Sequence, residues 1–167
     1  MMLAIATLLT LAAQEKIDNP QYDAWKSCKQ GSWVKHKMVM DAGGRVIVTE
    51  TTSTLIEINP DKAVIEMKTV MDMGGQKMDA PTQKQDVPAK MEKKEGTSFS
   101  EKVEEITVDG KAYKCRAYTF EQVEKGQAMK VTGWMCADVP GGMVKSEIQS
   151  AQLPKPMQLT VVGFEKK

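Results

Sequence analysis

The sequence predicts a mainly β protein: a single antiparallel meander sheet of about eight strands, strongly curved, with one short N-terminal helix. Three observations carry that prediction. Runs rich in Val, Ile, Thr and aromatic residues follow one another from Ser32 to the C-terminus. Turn signals separate them: Asp41-Ala42-Gly43-Gly44, Asn59-Pro60-Asp61-Lys62, Gly74-Gly75, Asp109-Gly110, Lys125-Gly126 and Pro140-Gly141-Gly142. Each supplies a glycine for positive φ or a proline pre-set for a turn. Finally, hairpin register can be tested, because antiparallel partners have residue numbers of constant sum. Around Gly74-Gly75, Asp72 meets Lys77 and Met71 meets Met78. Around Asp109-Gly110, Glu105 meets Lys114, Ile106 meets Tyr113 and Phe99 meets Phe120. Opposite charges and apolar pairs landing together are what a ladder prefers.

The chain divides into a leader at 1–13, a helical segment at 14–30 and a β domain at 31–167. Residues 3–11 are an uncharged apolar run, too short to span a bilayer, followed by the small residues Ala12 and Ala13. That is the pattern of a secretory signal, so the expected location is exported, periplasmic or extracellular. The other reading of the run is a buried N-terminal helix. The mature chain offers no transmembrane segment.

Asn19-Pro20 opens the helix, since Asn caps and Pro fits the first helical position. Tyr22, Trp25 and Cys28 recur at helical spacing, and Gly31 supplies the stop. Residues 79–96 are polar, charged and broken by Pro81 and Pro88, and they read as a long loop or flap.

With Lys125-Gly126 as the loop, Glu121 meets Lys130, Thr119 meets Thr132, Phe120 meets Val131, and Tyr118 covers Gly133. The same register puts Cys115 opposite Cys136, where paired strand residues come within disulfide reach. In an exported chain that pair is expected to be a disulfide staple. Cys28, the remaining cysteine, is expected to pack behind Trp25 as a small buried hydrophobe, or else to compete for a partner.

The Asn59-Pro60-Asp61-Lys62 turn puts Ile56 opposite Ile65, Thr54 opposite Met67 and Thr52 opposite Thr69. Alternation then gathers Val46, Val48, Ile56, Ile58, Ile65, Met67, Met71 and Met73 on one face, with Met78 joining from the next hairpin. Methionine is abundant at 13 residues, and its flexible thioether adapts to irregular apolar partners. A ligand-binding hollow is expected here, lined by Ile65, Met67, Met71, Met73 and Met78 and closed by Trp25 or the 79–96 flap. The plainer reading is that these side chains simply fill a core.

Charge excludes some classes. Lys plus Arg number 23 against 22 Asp plus Glu, which leaves no broad footprint for nucleic acid or anionic membrane. No nucleophile elbow, paired-histidine metal motif, phosphate loop or dinucleotide fingerprint occurs, so no cofactor and no metal site is expected. The one histidine, His36, lies between Lys35 and Lys37, which lower its basicity, and a lone strand histidine is a poor basis for a catalytic base. No enzyme is expected.

The stretch Gly133-Trp134-Met135-Cys136-Ala137-Asp138-Val139-Pro140-Gly141-Gly142-Met143-Val144-Lys145-Ser146-Glu147 resembles the lipoprotein-sorting, periplasmic lipoprotein-carrier-like superfold and related exported bacterial β proteins. There a Trp-bearing strand meets a Pro turn, and the next strand carries Lys and Glu two apart. The Trp-containing N-terminal helix leading into a long meander is similar too. The resemblance implies an open half-barrel with an apolar inner face that accommodates lipid. Together these readings suggest an exported, non-enzymatic protein that holds a lipid, acylated partner or other hydrophobic ligand in a Met-rich concave face. The alternative is a structural or interaction module of the cell envelope with a filled core and no ligand.

Overall fold

The structure, a computed structural model, describes residues 16–42, 44–93, 98–124, 127–151 and 155–167. The leader at 1–13 lies outside these residues, as does the Lys125-Gly126 turn. In chain order the elements are β1 (Lys16–Asp18), α1 (Pro20–Lys26), β2 (Trp33–Ala42), β3 (Arg45–Ile58), β4 (Lys62–Met73), β5 (Gln76–Asp79), β6 (Gln83–Pro88) and β7 (Lys90–Glu92). They continue with β8 (Ser98–Val108), β9 (Lys111–Glu124), β10 (Gln127–Met135), β11 (Met143–Ser150) and β12 (Met157–Glu165). No helix among the described residues is long and apolar enough to cross a membrane.

The helix forms for the reasons its sequence gives. Asn19 caps it by accepting from the Gln21 N–H at 3.1 Å, and Pro20 takes the first position. Tyr22 and Trp25 bury on one side, and Cys28 buries behind them, its Sγ donating to the Ala24 carbonyl at 3.3 Å. The Tyr22 hydroxyl donates to the Asn59 carbonyl at 2.7 Å, fixing the helix to the β3–β4 turn. The helix stops before the expected Gly31: Ser27 is its C-cap, and Gly31, at φ of 81°, lies in the connection to β2.

The main sheet is antiparallel with ten strands, in the order β5-β4-β3-β2-β12-β11-β10-β9-β8, and β6 also pairs with β4. It is not a single meander of eight strands. Two meanders, β2–β6 and β8–β12, are joined because the last strand pairs with the first long one, Leu159 opposite Met38 and Val161 opposite His36. The sheet is open and not strongly curled, contrary to the half-barrel expectation: β5, β6 and β8 remain as edges. Its apolar face is covered by α1, which packs on β3, β4 and β6, and by the 136–142 turn, rather than by curling.

Of the expected flap at 79–96, residues 83–88 and 90–92 are strand, and 94–96 lie outside the described residues. β5 and β6 lie end to end along the outer edge of β4, and β7 pairs with β1 in a separate two-stranded ribbon. Polar composition suits an edge strand, whose outward side faces water. Val87, opposite Ala63, is its one buried apolar anchor.

Several hairpin registers match the constant-sum expectation, among them Asp72–Lys77, Met71–Met78, Glu105–Lys114 and Lys130–Glu121. Two do not, because bulges intervene. A bulge between Leu55 and Glu57 puts Leu55 opposite Ile65, Thr54 opposite Glu66 and Thr52 opposite Lys68. A second shift, between Phe99 and Val103, puts Phe99 opposite Tyr118 instead of Phe120. An extra residue in one strand exchanges the two faces beyond it. Val48 therefore pairs with Asp72, on the opposite face from Met71 and Met73, whose partners are Thr49 and Ile47.

Candidate functional site

On the helix-covered face the side chains divide along the strands. Beneath α1 the core is filled by Trp25, Val34, Leu55, Ile65, Val144 and Val161. Next comes a polar row, Thr69, Thr51 and His36, which are cross-strand neighbours. The threonine hydroxyls lie 3.0 Å apart. Beyond that row the face carries Met78, Met71, Thr49, Met38 and Leu159 in one register line.

The six expected ligand residues therefore do not line one hollow. Trp25 at 1% and Ile65 at 3% exposure are core, with Met67 packed against them. Met71 is half-buried on the outer part of the face, and Met73 at 44% and Met78 at 39% exposure lie open to solvent there. The five on β4 and β5 do share one face, but α1 covers only its inner part, so that part is filled core and the outer part is open surface.

Nor do Cys115 and Cys136 form the expected staple; all three cysteines are free and buried. The β9–β10 ladder ends at Arg116–Met135, one pair short. At Cys136 the chain leaves the pleat, its N–H donating to the Gly142 carbonyl at 2.7 Å. Burial, with the neighbouring Cys136 thiol and Glu104 adding to it, pushes the Cys115 thiol up to about 12. A thiol held protonated is a poor nucleophile.

A sizeable opening lies elsewhere. Between α1, the 136–142 turn and β8–β10 is a cleft of about 780 Å³. It is lined by Ala24, Ala117, Tyr118, Met135 and Gly142 among others, and by the charged residues Asp23, Lys114, Arg116, Asp138 and Lys166. Two glycines make it. Gly133 sits opposite Tyr118, and a Cβ there would stand 2.3 Å from the Tyr118 ring, so the ring can lie flat on β10 only because no side chain is present. Gly142, at φ of 79°, brings the turn against Met135 and Ala24, where a Cβ would meet the Met135 methyl at 2.7 Å. Tyr118 stacks parallel to Phe120 with centroids 6.1 Å apart. Burial raises the Tyr118 phenol above its ordinary value, so it stays neutral at physiological pH.

Sequence reading found the Tyr118–Gly133 contact but not the cleft, since Lys114 and Arg116 pass for solvated strand charges. The available signal was their alternation with Tyr118 and Phe120 along β9, which puts all four on one side.

His36 is structural. Its Nε2 lies 2.9 Å from the Met143 carbonyl; a carbonyl only accepts, so Nε2 carries the proton. Burial, the larger influence, pushes the imidazole below its ordinary value of 6.5, and the bond to Met143 partly offsets it. The flanking lysines are not the cause. The folded state therefore binds less proton at His36 than the unfolded chain does. Stability is full above about pH 6.5 and falls as pH drops below it, levelling off once the lower folded-state value is passed. Thermal melts of the parent and His36→Gln should differ most at neutral pH and converge on acidification; parallel curves would remove His36 as the cause.

Fold and cleft define a class: an open antiparallel sheet with one face capped by a short helix and a turn, leaving a ligand-sized cleft at the cap's edge. No protein-family model matches the chain, and no curated protein matches it significantly. In fold it is similar to the crystal structure of a candidate exported protein with a YmcC-like fold from Bacteroides fragilis, at a TM-score of 0.50 and 8% identity. The match covers 83% of this chain and 97% of that one. At this identity the likeness concerns the fold alone. It supports a YmcC-like β protein and not the lipoprotein-sorting superfold in particular.

Proposed function

We propose that this chain is an exported, non-enzymatic binding protein that takes the apolar body of a lipid or acylated molecule in the cleft beside α1. The observation that carries the reading is the cleft itself: about 780 Å³, apolar over most of its lining surface, with a few charged side chains among the residues that line it. That volume lies within the range of small-molecule sites, and an apolar lining with a few polar groups is their usual composition. Export is supported by the uncharged 3–11 run with Ala12 and Ala13 behind it, and by the candidate exported status of the B. fragilis protein.

The filled core under α1 favours a second reading, an envelope module with no ligand. Native mass spectrometry of protein recovered from a bacterial periplasm, with solvent extraction of bound material, separates the two. The binding reading expects a co-purifying or added apolar ligand that Val103→Asp expels without lowering the melting temperature. Val103 is suited to this test because it lines the cleft yet is 57% exposed. A ligand-free mass that ignores added lipids would leave the module.

A further inference from the structure

Resting on the cleft reading, we infer that the ligand is an anionic single-tailed amphiphile, its head held by Arg116 and its tail in the cleft along Tyr118 and Met135. The inference comes from the polarity of β9. Lys114, Arg116, Tyr118 and Phe120 alternate onto one side of that strand. The line therefore runs from two cations to two stacked aromatic rings, about 13 Å from Arg116 to Phe120 at about 3.3 Å per residue, with Tyr118 the ring that lines the cleft. A long acyl chain with a charged end has the same length scale and the same polarity.

The cation end is placed to act. Arg116 is exposed, and its cross-strand neighbours are apolar: Val103 on β8 and Met135 on β10, both lining the cleft. No carboxylate is bonded to it among the described residues. Lys114 is less available, because Glu105 sits directly across from it. The tail end is built to receive. Tyr118 lies flat over Gly133, and both Tyr118 and Met135 line the cleft beside Arg116.

The remaining charges of the cleft orient the head further. Asp23 on α1 and Asp138 in the turn also line the cleft, and their charge disfavours an anion on their side relative to Arg116. Lys166 is partly occupied, its Nζ donating to the Ala137 carbonyl at 3.1 Å. Arg is suited to the role, since its planar fork matches carboxylate and phosphate oxygens in pairs. Carboxylate and phosphate heads share this chemistry, and the test below distinguishes them.

The test titrates the full chain with dodecanoate, dodecyl phosphate, dodecanol and dodecyltrimethylammonium by calorimetry, for the parent and for Arg116→Ala. Both anions should bind the parent more tightly than the alcohol, and the cation should bind worst. Arg116→Ala should weaken the anions roughly tenfold or more and leave dodecanol unchanged, with the melting temperature preserved. Whichever anion loses more names the preferred head. If anions and alcohol bind the parent equally, or Arg116→Ala changes neither, the head assignment is overturned while the cleft survives. If none of the four binds, the cleft reading fails as well, and the assignment with it.

Discussion

Replacing Trp25 by alanine should cost about 3–5 kcal/mol of folding stability, the range measured for emptying a large aromatic from a core. Trp25 is 1% exposed, and it places α1 in the same buried core as Leu55, Val144 and Val161. Domains of this size have a total stability of about 5–15 kcal/mol, so the variant would lose a large fraction of it. At about 2–4 °C per kcal/mol, the melting temperature should fall by roughly 10 °C or more. Chemical denaturation with an unchanged m-value would confirm that stability, and not two-state behaviour, had changed. A drop of only a degree or two would mean that α1 contributes little to the fold and that the core lies elsewhere.

Gly141→Ala should be nearly as damaging, by a different mechanism. Gly141 has φ of 71°, where a non-glycine residue costs about 1–2 kcal/mol. A Cβ there would also stand 2.8 Å from the Trp25 Nε1 and 2.9 Å from its Cε2, and the ring is too buried to move aside. Overpacking of that kind adds about 1–3 kcal/mol. The two contributions separate in a double-mutant cycle. In the Trp25→Ala background the clash is absent and only the backbone strain remains, so Gly141→Ala should cost about 1–2 kcal/mol there. Equal costs in both backgrounds would show that the turn and the indole do not press on each other.

What the sequence disclosed was local. Gly74-Gly75 and Asp109-Gly110 set their hairpins because both central residues take positive φ, 69° and 96° in the first and 49° and 78° in the second. The cross-strand pairs next to those turns then followed by counting. Counting failed at Ile56 and near Phe99, because a bulge has no compositional mark and yet exchanges the faces beyond it. The β2–β12 pairing joins residues more than a hundred positions apart, and neither strand names the other. The edge strand β6, within the expected flap, was not legible because an edge needs only one apolar anchor, Val87, and is otherwise as polar as a loop. The candidate site suffered from both failures. Its Tyr118–Gly133 contact was legible as a ring over a missing side chain. Its other walls come from α1 and the 136–142 turn, whose placement depends on tertiary packing.

The location of the bound tail can be measured directly. The protein has 13 methionines, and they sample both the cleft, through Met135, and the outer sheet face, through Met71, Met73 and Met78. Methyl-labelled methionine would be followed by NMR during titration with dodecanoate, with assignments made by Met→Leu substitution. The Met135 resonance should move with saturation while those of Met71, Met73 and Met78 stay in place. Movement of the latter three with Met135 unchanged would put the tail on the open methionine face and contradict the cleft as the binding site.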